Sequence, residues 1–299
     1  MIRRLRARRG ASKAAAGDAA RAARVPRWAQ PIEVPECPEG WRTGPPDFVG
    51  IGAQRSGTSW WYRGIEAHPR VVRVEGQRKE LHYFNRFWTG EVPPDFARRY
   101  HTLFPRPPGA LSGEWTPRYM HDFWSVPLLA EAAPAARVLV ILRDPVERYR
   151  SGAARMVRLA EELDRPLRLV EIADALWRSF YYEQLSRVFE LYPREQVLVL
   201  QFERCRTDPE GQMQATCRFL GLEPFAELPR QLVRERSARD KPTLPDGMRG
   251  ELVARLANDV ARLVELCPEI DLELWPNFRH LAGPAAAERG AHLGRHSGP

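Results

Sequence analysis

Apolar residues in this chain gather into short unbroken runs, separated by stretches of helical spacing. Phe48, Val49 and Ile51 make the first run, which leads into small residues and then a helical pattern. Val138 to Leu142 is a second run with no polar interruption, the signature of a strand covered on both faces. Pro145 suits the first turn of the helix that follows, where a missing N–H costs nothing. That register puts Arg143 at the strand's carboxyl end and Ser151 roughly two turns into the helix. Gln196 to Phe202 reads as a further strand. After it, Thr207-Asp-Pro-Glu210 opens a helix that stops at Gly221. Leu167 to Leu191 reads as one long helix, with Leu176, Phe180, Tyr181, Leu185, Val188 and Phe189 on its core side. Strands alternating with helices predict a three-layer α/β domain, a central parallel sheet flanked by helices.

Composition sets the domain limits. The 299 residues, 43% hydrophobic, suffice for one large domain over 46–281. Residues 1–45 form a basic, Pro-containing extension, and residues 282–299, rich in Ala, Gly and His, form a tail. Both are expected to be largely disordered. The net charge of +8 suggests nucleic acid at first sight. Seven Arg and one Lys against one Asp, however, put +7 of it in residues 1–25. The domain itself is nearly neutral, so no nucleic-acid partner is expected. The basic tail could make weak peripheral contact with anionic lipid at ~1 kcal/mol per basic residue, though a solvated extension is the favoured reading. No apolar run approaches the ~20 residues needed to cross a bilayer. With no apolar signal core either, the expected location is cytoplasmic. Cys37, Cys205, Cys217 and Cys267 have no metal-binding spacing and read as reduced and incidental, and no metal is expected.

The chemistry begins in the loop after the first strand. Gly52 and Gly57 bracket four residues, as in the phosphate loop of nucleoside-triphosphate enzymes. Such a P-loop-like turn aims its N–H groups and a helix N-terminus at an anion. The lysine of that motif is replaced by Thr58, and Arg55 carries the charge instead. An ordinary kinase-like P-loop enzyme needs that lysine on its phosphates, so this alternative is the weaker one.

Gln54-Arg55-Ser56-Gly57-Thr58-Ser59-Trp60 resembles the 5′-phosphosulfate loop of sulfotransferases that use 3′-phosphoadenosine 5′-phosphosulfate (PAPS), with Arg55 where the family usually has Lys. Arg143-Asp-Pro-Val-Glu-Arg148 followed by Ser151 resembles their 3′-phosphate motif. The resemblance implies that Arg55, Ser56, Gly57, Thr58, Ser59 and Trp60 bind the donor at one end, and that Arg143 and Ser151 hold its 3′-phosphate. PAP, the 3′,5′-bisphosphate, would be the product. Lys79-Glu-Leu-His-Tyr-Phe84 is similar to a Glu-x-His-Phe-Phe segment of the heparan sulfate sulfotransferase-like (bacterial) branch. It implies Glu80 as general base, with His82 beside it and Arg55 as the cation at the reacting group. Residues two apart share a face in an extended segment, so Glu80 and His82 are expected to point into one cleft.

Gly113-Glu-Trp-Thr-Pro-Arg-Tyr119 resembles a Gly-Glu-Lys-[Ser/Thr]-Pro-x-Tyr segment that lines the acceptor side in the same family, with Trp115 in the place of lysine. An indole there would suit a small or weakly charged acceptor better than a glycosaminoglycan. The acceptor classes implied are small molecules, glycans and lipids, accepting through a hydroxyl or an amine. Arg239 and Lys241, in the basic stretch 234–242, could close on the nucleotide, although a solvated charge run is the favoured reading.

Overall fold

In the computed structural model, residues 27–72, 76–233 and 243–282 are described. A single 3₁₀ turn, Arg27–Ala29, precedes β1 (Phe48–Gly52), α1 (Thr58–Glu66), α2 (Phe96–His101) and β2 (Gly113–Trp115). There follow α3 (Ser125–Ala132), β3 (Arg137–Leu142), α4 (Pro145–Glu162), α5 (Leu169–Trp177) and α6 (Tyr181–Leu191). The chain continues through β4 (Val197–Gln201), α7 (Phe202–Thr207), α8 (Pro209–Leu220), α9 (Arg230–Val233) and α10 (Asp246–Leu266).

The three apolar runs form β1, β3 and β4. With β2 they make a sheet of order β2-β1-β3-β4, parallel at every pairing. Side chains alternate across it as the pleat requires. Val49, Ile51, Val138, Val140 and Leu142 pack with α3, α6 and α10, while Phe48, Leu139 and Ile141 pack with α1 and α8. This is the predicted three-layer arrangement. From β1 the chain crosses to β2 on one side, and from β3 to β4 on the other. The connections leaving β1 and β3 therefore diverge, opening a crevice at the carboxyl ends of the two central strands, where open α/β sheets take their ligands.

Helix boundaries follow local capping. Asp144 caps α4, its Oδ1 accepting from Val146 N at 2.9 Å and Glu147 N at 3.2 Å, with Pro145 as the first helical residue. Asp208 caps α8, and Gly221 ends it at φ 68°. The long helix predicted over 167–191 is instead two helices. Ser179 breaks it: its fully buried hydroxyl donates to Pro145 O at 2.9 Å and accepts from Arg148 Nε at 2.7 Å. The Asp259 carboxylate then caps the second helix, accepting from Tyr181 N at 2.7 Å and Tyr182 N at 3.1 Å. Periodicity could not show this, because the cap comes from α10.

Part of the predicted disordered extension is built onto the domain. Trp28 meets the edge of Trp88 at 6.4 Å, Arg78 donates to Gln30 Oε1 at 2.7 Å, and Arg42 and Arg106 exchange backbone hydrogen bonds. The basic residues 1–25, the tail 283–299 and the stretch with Arg239 and Lys241 lie outside the described residues.

Trp115 does not face an acceptor. It is fully buried between β1 and α1, its Nε1 donating to Gly52 O at 3.2 Å. The indole fills the space left by Gly50, where an added Cβ would lie 1.9 Å from Trp115 Cδ2. The expectation of a small or weakly charged acceptor loses its ground with this finding. Gly50→Ala should destabilise the fold by at least about 1–3 kcal/mol through overpacking, read as a lower urea midpoint at unchanged slope. Unchanged stability would show that the indole can move aside.

Candidate active site

The loop between β1 and α1 turns through two left-handed residues, Arg55 at φ 74° and Gly57 at φ 87°. Gly57 is dictated twice over, since a Cβ there would lie 2.7 Å from the Phe202 ring. Ser56 and Thr58 are buried, Ser59 and Trp60 half-buried, and Arg55 exposed. Trp60 packs edge-on against Phe202 at 6.4 Å, leaving part of its indole open beside the loop.

Arg143 leaves the end of β3 as predicted. Its guanidinium lies 4.9 Å over the Phe202 ring and approaches Arg55 O at 3.5 Å and Glu147 at 3.7 Å. These contacts are long, and Arg143 Nε is buried with no hydrogen-bond partner among the described residues. Arg150 Nε is in the same condition. Burial pulls the Arg143 pKa down, against the nearby Glu203 and Glu147. Ser151, buried on α4, accepts from Arg55 Nε at 3.2 Å. Arg55, Arg143 and Ser151 thus converge although the sequence separates them by most of two βα units. Beneath them Arg148 is wholly buried, donating to Ser179 Oγ and Ala175 O, and burial lowers it to about 10. The orphaned donors of Arg143 and of buried Arg148, beside the cation of Arg55, fit a polyphosphorylated ligand.

The second element is the segment from Lys79 to Phe84, fixed by Gly113–Tyr119. Trp115 N donates to Lys79 O at 3.1 Å, and Leu81 N to Glu114 Oε2 at 3.1 Å. His82 N donates to Thr116 Oγ1 at 3.2 Å, and Tyr83 N to Tyr119 Oη at 2.8 Å. Glu114 is buried, which raises its pKa, and accepts from Tyr100, Tyr119 and Thr116 hydroxyls. The Gly113–Tyr119 segment therefore holds its neighbour in shape.

Glu80 and His82 do come together, His82 Nε2 lying 3.4 Å from Glu80 Oε2. The cause differs from the predicted extended alternation, because His82 is left-handed at φ 53°. Its other nitrogen, Nδ1, is 2.8 Å from Asn85 Oδ1. Asn85 Nδ2 donates to Asp122 Oδ2 at 2.9 Å, and Asp122 also accepts from Arg118 Nε at 2.7 Å. An ionised carboxylate only accepts, so the amide must turn its oxygen to the imidazole, and Nδ1 is the protonated nitrogen. Nε2 is thereby left facing Glu80 Oε2. Burial pushes Glu80 up, but His82 and Lys79 outweigh it and hold the carboxyl down to about 2.

Lys79, Asn85 and Asp122 were not singled out from the sequence. Lys79 only opens the segment there, yet its side chain is 15% exposed and its Nζ reaches α1. A cleft of about 640 Å³ opens beside this point, lined by Ser59, Arg63, Glu66, Arg78, Lys79 and Glu80 among others. Among the described residues, no group of three or more His, Cys, Asp or Glu could hold a metal.

Comparison with known proteins places these features in context. A model of the sulfotransferase family matches residues 92–227. The membrane-associated sulfotransferase kil1 of Dictyostelium discoideum is 30% identical over 103 residues, 34% of this chain and 21% of that protein. Human heparan sulfate glucosamine 3-O-sulfotransferase 3B1 is 26% identical over 188 residues, 59% of this chain and 46% of that protein. The chain thus spans less than half the length of these curated relatives. A sulfotransferase crystal structure from Alicyclobacillus acidocaldarius superposes with a TM-score of 0.60 at 25% identity, covering 77% of this chain and 98% of the other.

Proposed function

We propose that this chain, assigned to the sulfotransferase family by these matches, transfers the sulfuryl group of PAPS to a hydroxyl of a polar acceptor. The observation that carries the reading is the meeting of Arg55 with Ser151, at 3.2 Å, beside Arg143. It joins the two sequence motifs at one crevice, whose cations suit a nucleotide charged at both its 3′ and 5′ positions. Arg143, with its unpartnered Nε, and Ser151 would hold the 3′-phosphate, the α1 N-terminus would hold the 5′ end, and Arg55 would stand between the two with its Nε on Ser151. Trp60 offers the base a half-open ring face beside the loop.

PAPS, when bound, supplies the sulfuryl group and a stable phosphate leaving group. The acceptor oxygen bonds to sulfur as the sulfur–oxygen bond to the 5′-phosphate breaks, and that electron pair stays on the phosphate. The hydroxyl proton goes to the Glu80 carboxylate, whose Oε2 faces His82 Nε2. Asn85 and Asp122 keep the imidazole in the tautomer this needs. Arg55 cannot give up a proton, so it stabilises charge and does not act as an acid.

The acceptor enters through the 640 Å³ cleft, where Ser59, Arg63, Glu66 and Arg78 present donors and acceptors of both signs. Such a lining suits a hydroxyl-rich molecule, a sugar or a small glycan, better than a lipid. The test is to supply sulfur-labelled PAPS with sugar, phenol and sterol acceptors. Label should move to a sugar hydroxyl, with PAP formed in equal amount. Phosphoryl transfer from ATP to the same acceptors would overturn the reading.

A further inference from the structure

Lys79 sits where no sequence motif places a cation. Its Nζ donates to Thr58 Oγ1 at 3.2 Å, Ser59 Oγ at 3.1 Å and Glu80 Oε1 at 3.2 Å. It therefore bridges the first turn of α1 and the carboxylate proposed to take the acceptor's proton. We propose that Lys79 is the cation that holds the transferred sulfuryl group, doing from a separate segment what Thr58 cannot do from the loop. The proposal rests on the sulfotransferase reading and assigns a residue within that site.

Three observations carry it. The first is electrostatic. A helix N-terminus repels a cation, since about half a positive charge already resides there. An ammonium held against the first turn of α1 is stable only beside compensating anions. Glu80, Glu66 and Glu114 supply part of this, yet burial still pulls the Lys79 pKa below its ordinary range. An anionic group in the loop would complete the compensation. The second is the division of labour with Arg55. That side chain turns its Nε toward Ser151, on the 3′-phosphate side of the crevice. The 5′ side, next to Glu80, is where Lys79 stands.

The third observation is preorganisation. Lys79 O accepts from Trp115 N at 3.1 Å, and the next residue but one is tied to buried Glu114, so the backbone beneath the ammonium is fixed. Two of its three hydrogen bonds go to hydroxyls, which rotate freely and can yield the ammonium to sulfonate oxygens. A cation fixed in this way stabilises charge on the group in transit without reorganising as the reaction proceeds.

PAPS and PAP differ by the sulfuryl group alone, so their binding isolates this residue without any acceptor. Dissociation constants for both would be measured by calorimetry on the wild-type chain, Lys79→Met and Lys79→Arg. Lys79→Met should weaken PAPS by about 10-fold or more, and PAP by less than about twofold. Lys79→Arg should recover part of the PAPS affinity. Equal loss for both nucleotides would make Lys79 an organiser of the loop, and no loss for either would remove it from the site; both results overturn the proposal. If Lys79→Met does not fold, judged by its thermal transition, Lys79→Gln takes its place under the same criteria. Wild-type protein that binds neither nucleotide would instead refute the sulfotransferase reading itself, and the proposal with it.

Discussion

Glu80→Gln should lower kcat by about 10²–10⁴-fold while leaving the affinity for PAP within about twofold of wild type. The amide keeps the size of the side chain and an oxygen for Lys79, but it cannot take a proton from the acceptor. Nothing at the 3′-phosphate end touches it, so nucleotide binding should survive. The pH dependence sharpens the expectation. His82 and Lys79 hold the Glu80 carboxyl down to about 2, below its ordinary value of 4.5. Glu80 is therefore ionised well below pH 4.5, and kcat/KM should show no acid limb near pH 4.5. The same depression has a sign for stability. A lowered folded pKa contributes stability that is present above the unfolded value and lost as pH falls toward the folded one. The stability difference between wild type and Glu80→Gln should thus narrow between about pH 4.5 and 2. Activity that survives intact in Glu80→Gln would pass the base role to His82.

Arg143→Met should cost about 10²-fold in PAP affinity and little in AMP affinity, erasing the preference for the 3′-phosphorylated nucleotide. The reasoning is local. Arg143 hangs over Phe202 with long contacts to Arg55 and Glu147 and an orphaned Nε, a donor set awaiting an anion. Methionine keeps the packing on the ring and removes every donor. Ser151→Ala should act in the same direction but more weakly, by about 10-fold, since a hydroxyl supplies one hydrogen bond. Titration of both nucleotides into each variant separates this from general damage, which would weaken AMP and PAP alike.

The central fold was legible because its signals are local. Unbroken apolar runs gave β1, β3 and β4, and Pro145 and Gly221 marked a helix start and a helix stop. Arg143 at a strand end and Ser151 in the following helix came from that register alone. What stayed hidden depends on partners far along the chain. The break at Ser179 is made by Arg148, Pro145 and Asp259, none of which its own periodicity can announce. Trp115 is buried because Gly50 on a neighbouring strand makes room for it. Lys79 only opens its segment until the fold lays α1 against it. Asn85 is one more polar residue in an aromatic stretch until Asp122 fixes which way its amide points. In each case the chemistry of the residue was readable, and its address was not.

The most direct test of the central claim is thermal stabilisation of the wild-type chain by PAP, compared with AMP and ATP at matched concentrations. A ligand at 100 times its Kd adds about 2.7 kcal/mol to stability, enough to separate binders from non-binders by melting temperature. A PAPS-dependent sulfotransferase should be stabilised strongly by PAP and much less by AMP or ATP, because only PAP engages both Arg143 and the loop of Arg55. Equal shifts for PAP and AMP, or a larger shift with ATP, would contradict the assignment of this crevice.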